Sequence, residues 1–154
     1  MNCVIGIDPG QTGAIAIYWP TEHRIEIHDM PMLPNAKNGR PELDYTAVID
    51  LLREDGAVTW LEQVASRPGQ GVSSVFRFGM MFGALQACAA AAAAPLRLVT
   101  PGQWKKAFGL CKDKGASRQM AMQRLPASAE LFRRVKDDGR AEAALIALYG
   151  AGVR

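Results

Sequence analysis

Short apolar runs alternate with polar turns over the first third of the chain. Residues 3–8 and 13–19 are two apolar runs joined by the turn Asp8-Pro-Gly-Gln-Thr-Gly, a pattern typical of a β-hairpin. In residues 23–30, isoleucines alternate with polar neighbours, which predicts a half-exposed third strand. The stretch 31–44 is rich in Pro, Asn and Gly, and is predicted to be a loop without regular structure.

The remainder of the chain alternates apolar strands with segments of helical periodicity. Strands are predicted over 57–64 and 96–100, and helices over 43–52, 72–94, from 101, 118–125 and 141–149. Three strands in a row, followed by strands alternating with helices, indicate an α/β protein. We therefore expect a five-stranded mixed sheet flanked by helices, with the first three strands antiparallel and the later ones parallel.

Length and composition are ordinary for a soluble globular protein. The chain has 154 residues, of which 49% are hydrophobic and 21% charged, which predicts a single domain spanning 1–154. No long, strongly apolar run predicts a membrane span, and no signal-peptide pattern is present, so we expect a cytoplasmic protein. The three cysteines are too far apart for a zinc motif or a disulfide framework.

Charge is distributed very unevenly along the chain. Residues 1–62 contain 4 basic and 10 acidic residues, whereas residues 63–154 contain 14 basic and 5 acidic residues. Most of the positive charge lies between Arg97 and Lys136. This asymmetry favours a polyanionic partner, although a basic face that is merely solvated is an equally good reading of the charge alone.

Four carboxylates are predicted to converge. Asp8 and Glu62 each lie near the carboxyl end of a predicted strand, where open α/β sheets place their ligands. Asp138 and Glu142 are four residues apart, and so lie on one face of the last helix, which its apolar residues direct towards the sheet. Taken singly, each acid could be a turn, helix-cap or surface residue, and the hypothesis depends on the set of four.

Ionised carboxylates that are packed together repel one another unless protons or cations neutralise them. Clusters with only oxygen ligands favour Mg²⁺ or Mn²⁺ over zinc. The sequence contains no convincing Ser-His-Asp or Cys-His set, so we expect metal-dependent chemistry rather than a nucleophilic side chain and no small-molecule cofactor.

The segments around these acids resemble motifs of the RuvC family of Holliday-junction resolvases, within the RNase H-like superfamily. "IGIDPGQTG" resembles the first-strand motif, "LEQV" the second acidic motif, and "DDGRAEAALIA" the closing pair of acids before an alanine-rich helix. "RPGQGVSSVFRFGMMFGAL" and "VTPGQWKKAFGL" are similar to the middle segments of phage and prophage members. The order and spacing of these segments match over nearly the whole chain.

The resemblance implies an RNase H-like fold and an endodeoxyribonuclease that resolves four-way (Holliday) DNA junctions by two-metal-ion hydrolysis, in a bacterial cell as a phage or prophage product. The implied catalytic and metal-binding residues are Asp8, Glu62, Asp138 and Glu142, with two Mg²⁺ (or Mn²⁺) ions. Asp137 adjoins Asp138, so the choice between these two stays open. Ala65 occupies the place where cellular members carry a wedge aromatic, which leaves Phe76 or Phe78 as possible replacements.

Basic residues are expected to hold the DNA backbone through phosphate contacts that carry no sequence information. For each of them a solvated surface position is the competing reading. The candidates are Arg67, Lys105, Lys106, Lys112, Lys114 and Arg118.

The long helix from residue 72 has more apolar surface than one sheet-facing stripe needs, which favours a homodimer, with core packing as the alternative. The residues concerned are Phe76, Met80, Met81, Phe82 and Leu85, with Gly79 and Gly83 between them.

Three rival functions fit parts of the sequence. A broader nuclease for forks and flaps would use the same site, and the sequence does not separate it from a strict junction resolvase. A junction-binding module without catalysis would not need all four acids. An actin-like ATPase fragment would share a phosphate loop similar to residues 8–13, but the chain is too short for the second loop and the nucleotide domain.

Overall fold

The computed structural model describes residues 2–34, 39–66, 68–111, 113 and 115–153. The strands are β1 (Cys3–Asp8), β2 (Ala14–Trp19), β3 (Arg24–Asp29), β4 (Met32–Leu33), β5 (Glu42–Leu43), β6 (Ala57–Glu62) and β7 (Leu96–Val99). The α-helices are α1 (Tyr45–Leu52), α2 (Val72–Ala91), α3 (Pro101–Ala107), α4 (Ala116–Arg124) and α5 (Asp138–Gly150). Two 3₁₀ segments, Pro126–Phe132 and Val135–Asp137, connect α4 to α5.

A five-stranded mixed sheet in the order β3-β2-β1-β6-β7 forms the centre of the protein. Strands β1, β2 and β3 pair antiparallel, whereas β6 runs parallel to both β1 and β7. The sheet and its flanking helices agree with the predicted α/β architecture. Ile7 pairs with Leu61 across β1 and β6, so the next residues along, Asp8 and Glu62, lie side by side at the carboxyl ends of these strands.

Helices cover both faces of the sheet, which explains why β1 and β2 are apolar almost throughout. On one face, α1 and α2 pack through residues such as Val48, Leu52 and Leu85. On the other face, α3, α4 and α5 bury Trp104 and Leu145, among others. Because α5 lies against β1 and β2, the last helix of the chain covers the first two strands.

A glycine permits the close approach of α5 to the sheet. A Cβ atom on Gly6 would lie 2.3 Å from the carbonyl oxygen of Ala143 and 2.4 Å from the backbone nitrogen of Ala147. Real Cβ atoms do not approach backbone atoms so closely. Gly6 therefore lets the backbones of β1 and α5 touch, and this contact brings the start of α5 next to the end of β1.

The prediction that 31–44 carries no regular structure was wrong. Met32 pairs with Leu43, and Leu33 with Glu42, in a short two-stranded antiparallel ladder. Leu43 is only 6% exposed and packs into the core under α1 and α2, so burial of one side chain holds the pair in place. Residues 35–38 lie outside the described part of the chain.

The last helix begins at Asp138, three residues earlier than the periodicity predicted. Apolar periodicity starts only at Ala141, whereas the placement of Asp138 and Glu142 on one helical face had already assumed the earlier start. Both acids predicted to share a helical face are therefore on α5 itself.

Within the described residues, α2 is the one helix that is long and apolar enough to cross a membrane by length and composition alone. A single helix of this kind is weak evidence for a membrane span, because helices of soluble proteins pass the same test.

Candidate metal centre

Three of the four predicted acids converge at the carboxyl edge of the sheet. Asp8 comes from β1, Glu62 from β6 and Glu142 from the second turn of α5. Each offers a carboxylate oxygen, and these oxygens all lie within 4.8 Å of one another. The convergence follows from the strand register and from the close packing of α5 on β1.

The surroundings of the cluster shift the pKa of Asp8. Burial raises the pKa of Asp8 well above its usual range, and the neighbouring charges of Glu142 and Glu62 raise that pKa further. Lys105 acts in the opposite direction but does not compensate. A cation placed among the three carboxylates would remove this repulsion.

Glu142 is held at the mouth of the cluster by groups from two other helices. Lys105 Nζ of α3 lies 3.0 Å from Glu142 Oε1, and the hydroxyl of Ser117 on α4 lies 3.3 Å from the same oxygen. Lys105 remains 37% exposed, so its ammonium group faces both the carboxylates and the solvent.

The fourth acid, Asp138, lies beside the cluster and not within it. Its side chain is 54% exposed, and its Oδ1 accepts a hydrogen bond of 2.7 Å from Arg118 Nε. It nevertheless faces the same cleft as Asp8 and Glu142. Gly139 follows it, where a Cβ atom would lie 3.1 Å from Asp8 Oδ2, so the start of α5 abuts Asp8 itself.

Asp137 is not part of the carboxylate cluster, because its side chain binds arginines instead. It is 1% exposed, and its carboxylate accepts hydrogen bonds from the backbone nitrogen and the guanidinium of Arg134. The hydrogen bonds from Arg134 hold the pKa of Asp137 below its usual value, with Arg140 contributing from 3.8 Å away. Arg140 in turn forms a two-pronged ion pair with Asp29 at the end of β3. Of the two adjacent aspartates, Asp138 is therefore the one placed at the cleft.

An open cleft of about 960 Å³ runs from the carboxylates towards α3 and α4. Lys105 and Lys106 line it, as the DNA-contact hypothesis requires. Arg118 is different, because its guanidinium is occupied by Asp138 and by the carbonyl of Arg133, and only 18% of its side chain is exposed. The remaining candidates, Arg67, Lys112 and Lys114, lie outside the described residues.

The two phenylalanines considered for a wedge occupy different surroundings. Phe78 lines a second cleft of about 470 Å³ together with Glu62, Ala65 and Thr100. Phe76 is 67% exposed on α2. Only Phe78 is thus placed next to the carboxylates.

Sequence reasoning missed Trp104. This residue is completely buried, and its indole Nε1 donates a hydrogen bond of 2.8 Å to Glu62 Oε1. The bond joins residues 42 positions apart, and a single tryptophan in a helical segment gives no sequence signal for such a partner.

The donor set suits a hard divalent cation. The cluster offers carboxylate oxygens with no His or Cys among its members, which matches the ligand preference of Mg²⁺ and Mn²⁺. The raised pKa of Asp8 gives an independent reason why a positive ion would be favoured there. The residues therefore fit the divalent metal implied by the sequence resemblance.

No protein-family model and no curated protein matches the sequence. The fold, in contrast, is similar to several solved structures. Thermus thermophilus RuvC in complex with a Holliday junction substrate matches with a TM-score of 0.65 at 18% identity, covering 97% of this chain and 92% of that one. A second T. thermophilus RuvC structure matches with a TM-score of 0.56 at 19% identity, covering 97% and 96% of the two chains.

A eukaryotic structure matches as well. The yeast mitochondrial Holliday junction resolvase Ydc2 has a TM-score of 0.53 at 19% identity, over 94% of this chain and 75% of that one. The RuvC resemblance carried by the sequence motifs thus extends to the fold of nearly the whole chain. The five-stranded mixed sheet with its flanking helices is thus similar to the fold of these RuvC structures, and it fits the predicted RNase H-like α/β architecture.

Proposed function

We propose that the protein is a metal-dependent endodeoxyribonuclease that resolves four-way DNA junctions. The observation that carries the proposal is the convergence of Asp8, Glu62 and Glu142 at the carboxyl edge of the sheet, beside a cleft lined by lysines. The junction-bound RuvC structure, whose fold this chain shares, supports the choice of substrate.

Asp8, Glu62 and Glu142 would hold the metal, with Asp138 completing the set from the edge of the cleft. We propose Mg²⁺ or Mn²⁺, two ions per site, which when bound supply an activated water and charge stabilisation at the phosphate. To bind a metal ion, Asp138 would have to give up its ion pair with Arg118. The guanidinium of Arg118 would then lose this partner beside the cleft.

Lys105 and Lys106 would bind the DNA backbone on the far side of the carboxylates. With its ammonium group 3.0 Å from Glu142, Lys105 lies where a phosphate approaching the cluster would meet a positive charge. Phe78, in the neighbouring cleft, is the aromatic that we propose for contact with bases separated at the branch point.

Cleavage of a labelled synthetic four-way junction tests the proposal, with linear duplex and a fork as parallel substrates. Paired nicks are expected in the junction with Mg²⁺ or Mn²⁺, none with EDTA and none in the linear duplex. Equal cutting of the fork would favour the broader branched-DNA nuclease, which uses the same carboxylates. Tight junction binding without cutting under either metal would contradict the catalytic proposal.

A homodimer is the second part of the proposal. Val72, Phe76 and Met80 recur every four residues on α2 and are 87%, 67% and 58% exposed, so they form one uncovered apolar stripe. Met81 and Phe82 instead pack against the core, and Leu85 is fully buried. A second copy covering this stripe would place two active sites on opposed strands of a two-fold symmetric junction.

Exchanging both Phe76 and Met80 for Ser is expected to convert a dimer into a folded monomer, because these side chains contribute little to the core. Light scattering at micromolar concentration measures the change, and circular dichroism checks the fold. Val135→Ser is the matched control, since Val135 is 76% exposed on a 3₁₀ segment and not on α2. A wild-type protein that is already monomeric would contradict the dimer.

A further inference from the structure

The carboxylate cluster is backed by a buried hydrogen bond from a tryptophan. Trp104 is 0% exposed and Glu62 is 7% exposed, so the 2.8 Å bond between Nε1 and Oε1 is shielded from water. An indole N–H can only donate, and a carboxylate is its natural acceptor. The bond therefore fixes which oxygen of Glu62 is turned towards α3.

The start of α3 sets the position of Trp104. Thr100 and Gln103 form a reciprocal capping box, with the Thr100 backbone nitrogen donating to Gln103 Oε1 at 2.9 Å and the Gln103 nitrogen donating to Thr100 Oγ1 at 3.3 Å. Because β7 ends at Val99, the helix starts directly at the carboxyl edge of the sheet. Its first turn thus carries Trp104 into the core immediately behind Glu62.

We propose that Trp104 is a positioning residue for the metal ligand Glu62, an inference that rests on the proposed metal site. A glutamate side chain has several rotamers, and ordering it on an ion costs free energy. The indole bond selects one of these rotamers before the ion arrives, so that Glu62 is already aimed at Asp8 and Glu142. Partners of this kind typically change metal affinity by about 10- to 100-fold when they are removed.

The competing explanation is that Trp104 only fills space in the core. The chain provides a matched control in Trp60, on the same face of the sheet. Its ring packs edge-on against Tyr149, with the ring centroids 5.4 Å apart. Its Nε1 is buried but has no hydrogen-bond partner among the described residues. Loss of the Trp60 indole therefore removes packing near Glu62 without removing a hydrogen bond.

Calorimetric titration of Mn²⁺ into the DNA-free protein tests the inference independently of nuclease activity. The proteins compared are the wild type, Trp104→Phe, Trp60→Phe, and a chain with 3-benzothienylalanine incorporated at position 104. This amino acid keeps the bicyclic shape of tryptophan but replaces the N–H by sulfur, so it removes the hydrogen bond without leaving a cavity.

We expect both changes at position 104 to weaken Mn²⁺ binding by about tenfold or more. Trp60→Phe should bind Mn²⁺ like the wild type even where its melting temperature falls. Wild-type affinity in the benzothienylalanine protein would overturn the inference, and so would an equal loss of affinity in Trp60→Phe. If the wild type itself bound no Mn²⁺, both the inference and the proposed metal site would be wrong. Wild-type affinity in the benzothienylalanine protein, or an equal loss in Trp60→Phe, would contradict only the role of Trp104 and not the metal site.

Discussion

Replacing Asp8 by Asn will abolish cleavage of a four-way junction, lowering the rate by several orders of magnitude while leaving junction binding largely intact. The carboxamide keeps the shape of the side chain and removes the negative charge at the centre of the three-carboxylate cluster. Gel-based cleavage under single-turnover conditions measures the rate, and a mobility-shift titration measures binding.

The same exchange has a second consequence, of opposite sign, for the stability of the metal-free protein. Because the pKa of Asp8 is raised in the fold, the folded state keeps its proton to a higher pH than the unfolded chain does. Stability is therefore lost as the pH rises from the ordinary pKa of an aspartate to the raised value. Asn cannot ionise, so Asp8→Asn in EDTA should melt a few degrees higher than the wild type at neutral pH.

Asp50→Asn is the matched control for both measurements, because Asp50 is 64% exposed on α1 and, among the described residues, forms an ion pair only with Arg53, which directly follows the helix. Its cleavage rate and melting temperature should equal those of the wild type. Normal junction cleavage by Asp8→Asn would contradict the proposed function. An unchanged melting temperature at neutral pH would show that burial and the neighbouring charges of Glu142 and Glu62 do not destabilise the ionised form of Asp8 as its raised pKa indicates.

Gly6→Ala is expected to be strongly destabilising, costing about 3 kcal/mol or more. The new methyl group would meet two backbone atoms of α5, at 2.3 and 2.4 Å, and backbone atoms cannot rotate away as side chains do. Helix α5 would have to move off β1, and Glu142 would move with it. Urea unfolding measures the loss of stability, and the cleavage rate should fall in the folded fraction.

Gly102→Ala serves as the comparison, since a Cβ atom at this position in the first turn of α3 meets nothing within 4 Å. Its stability should be unchanged or slightly higher, as for other glycines replaced in helices. Wild-type stability in Gly6→Ala would mean that β1 and α5 can separate at little cost, contrary to the packing described above.

The sequence predicted the convergence of Asp8, Glu62 and Glu142 because each of them interrupts or lies within an apolar pattern. Asp8 and Glu62 interrupt buried strands, and Glu142 falls on the apolar face of a helix, so burial and position could both be inferred from spacing. The choice between Asp137 and Asp138 could not be made in this way, since neighbouring residues at a helix start share the same pattern. The choice depends on the ion pairs that Arg134 and Arg140 form with Asp137, which only the folded structure shows.

Contacts between distant segments account for the other differences. Nothing in the local pattern around Arg118 or Trp104 indicates that one pairs with Asp138 and the other with Glu62. The short β4–β5 pair was missed because Pro and Gly dominate its surroundings, while the burial of Leu43 depends on helices that come later in the chain.

The three converging carboxylates come from the first strand, a middle strand and the final helix. A nascent chain still attached to the ribosome before α5 has emerged holds Asp8 and Glu62 but lacks Glu142. A metal site that needs all three carboxylates could therefore form only after α5 has been translated and has packed on β1. Under the proposed function, the order of translation would keep the DNA-cleaving activity absent until α5 has folded onto the sheet.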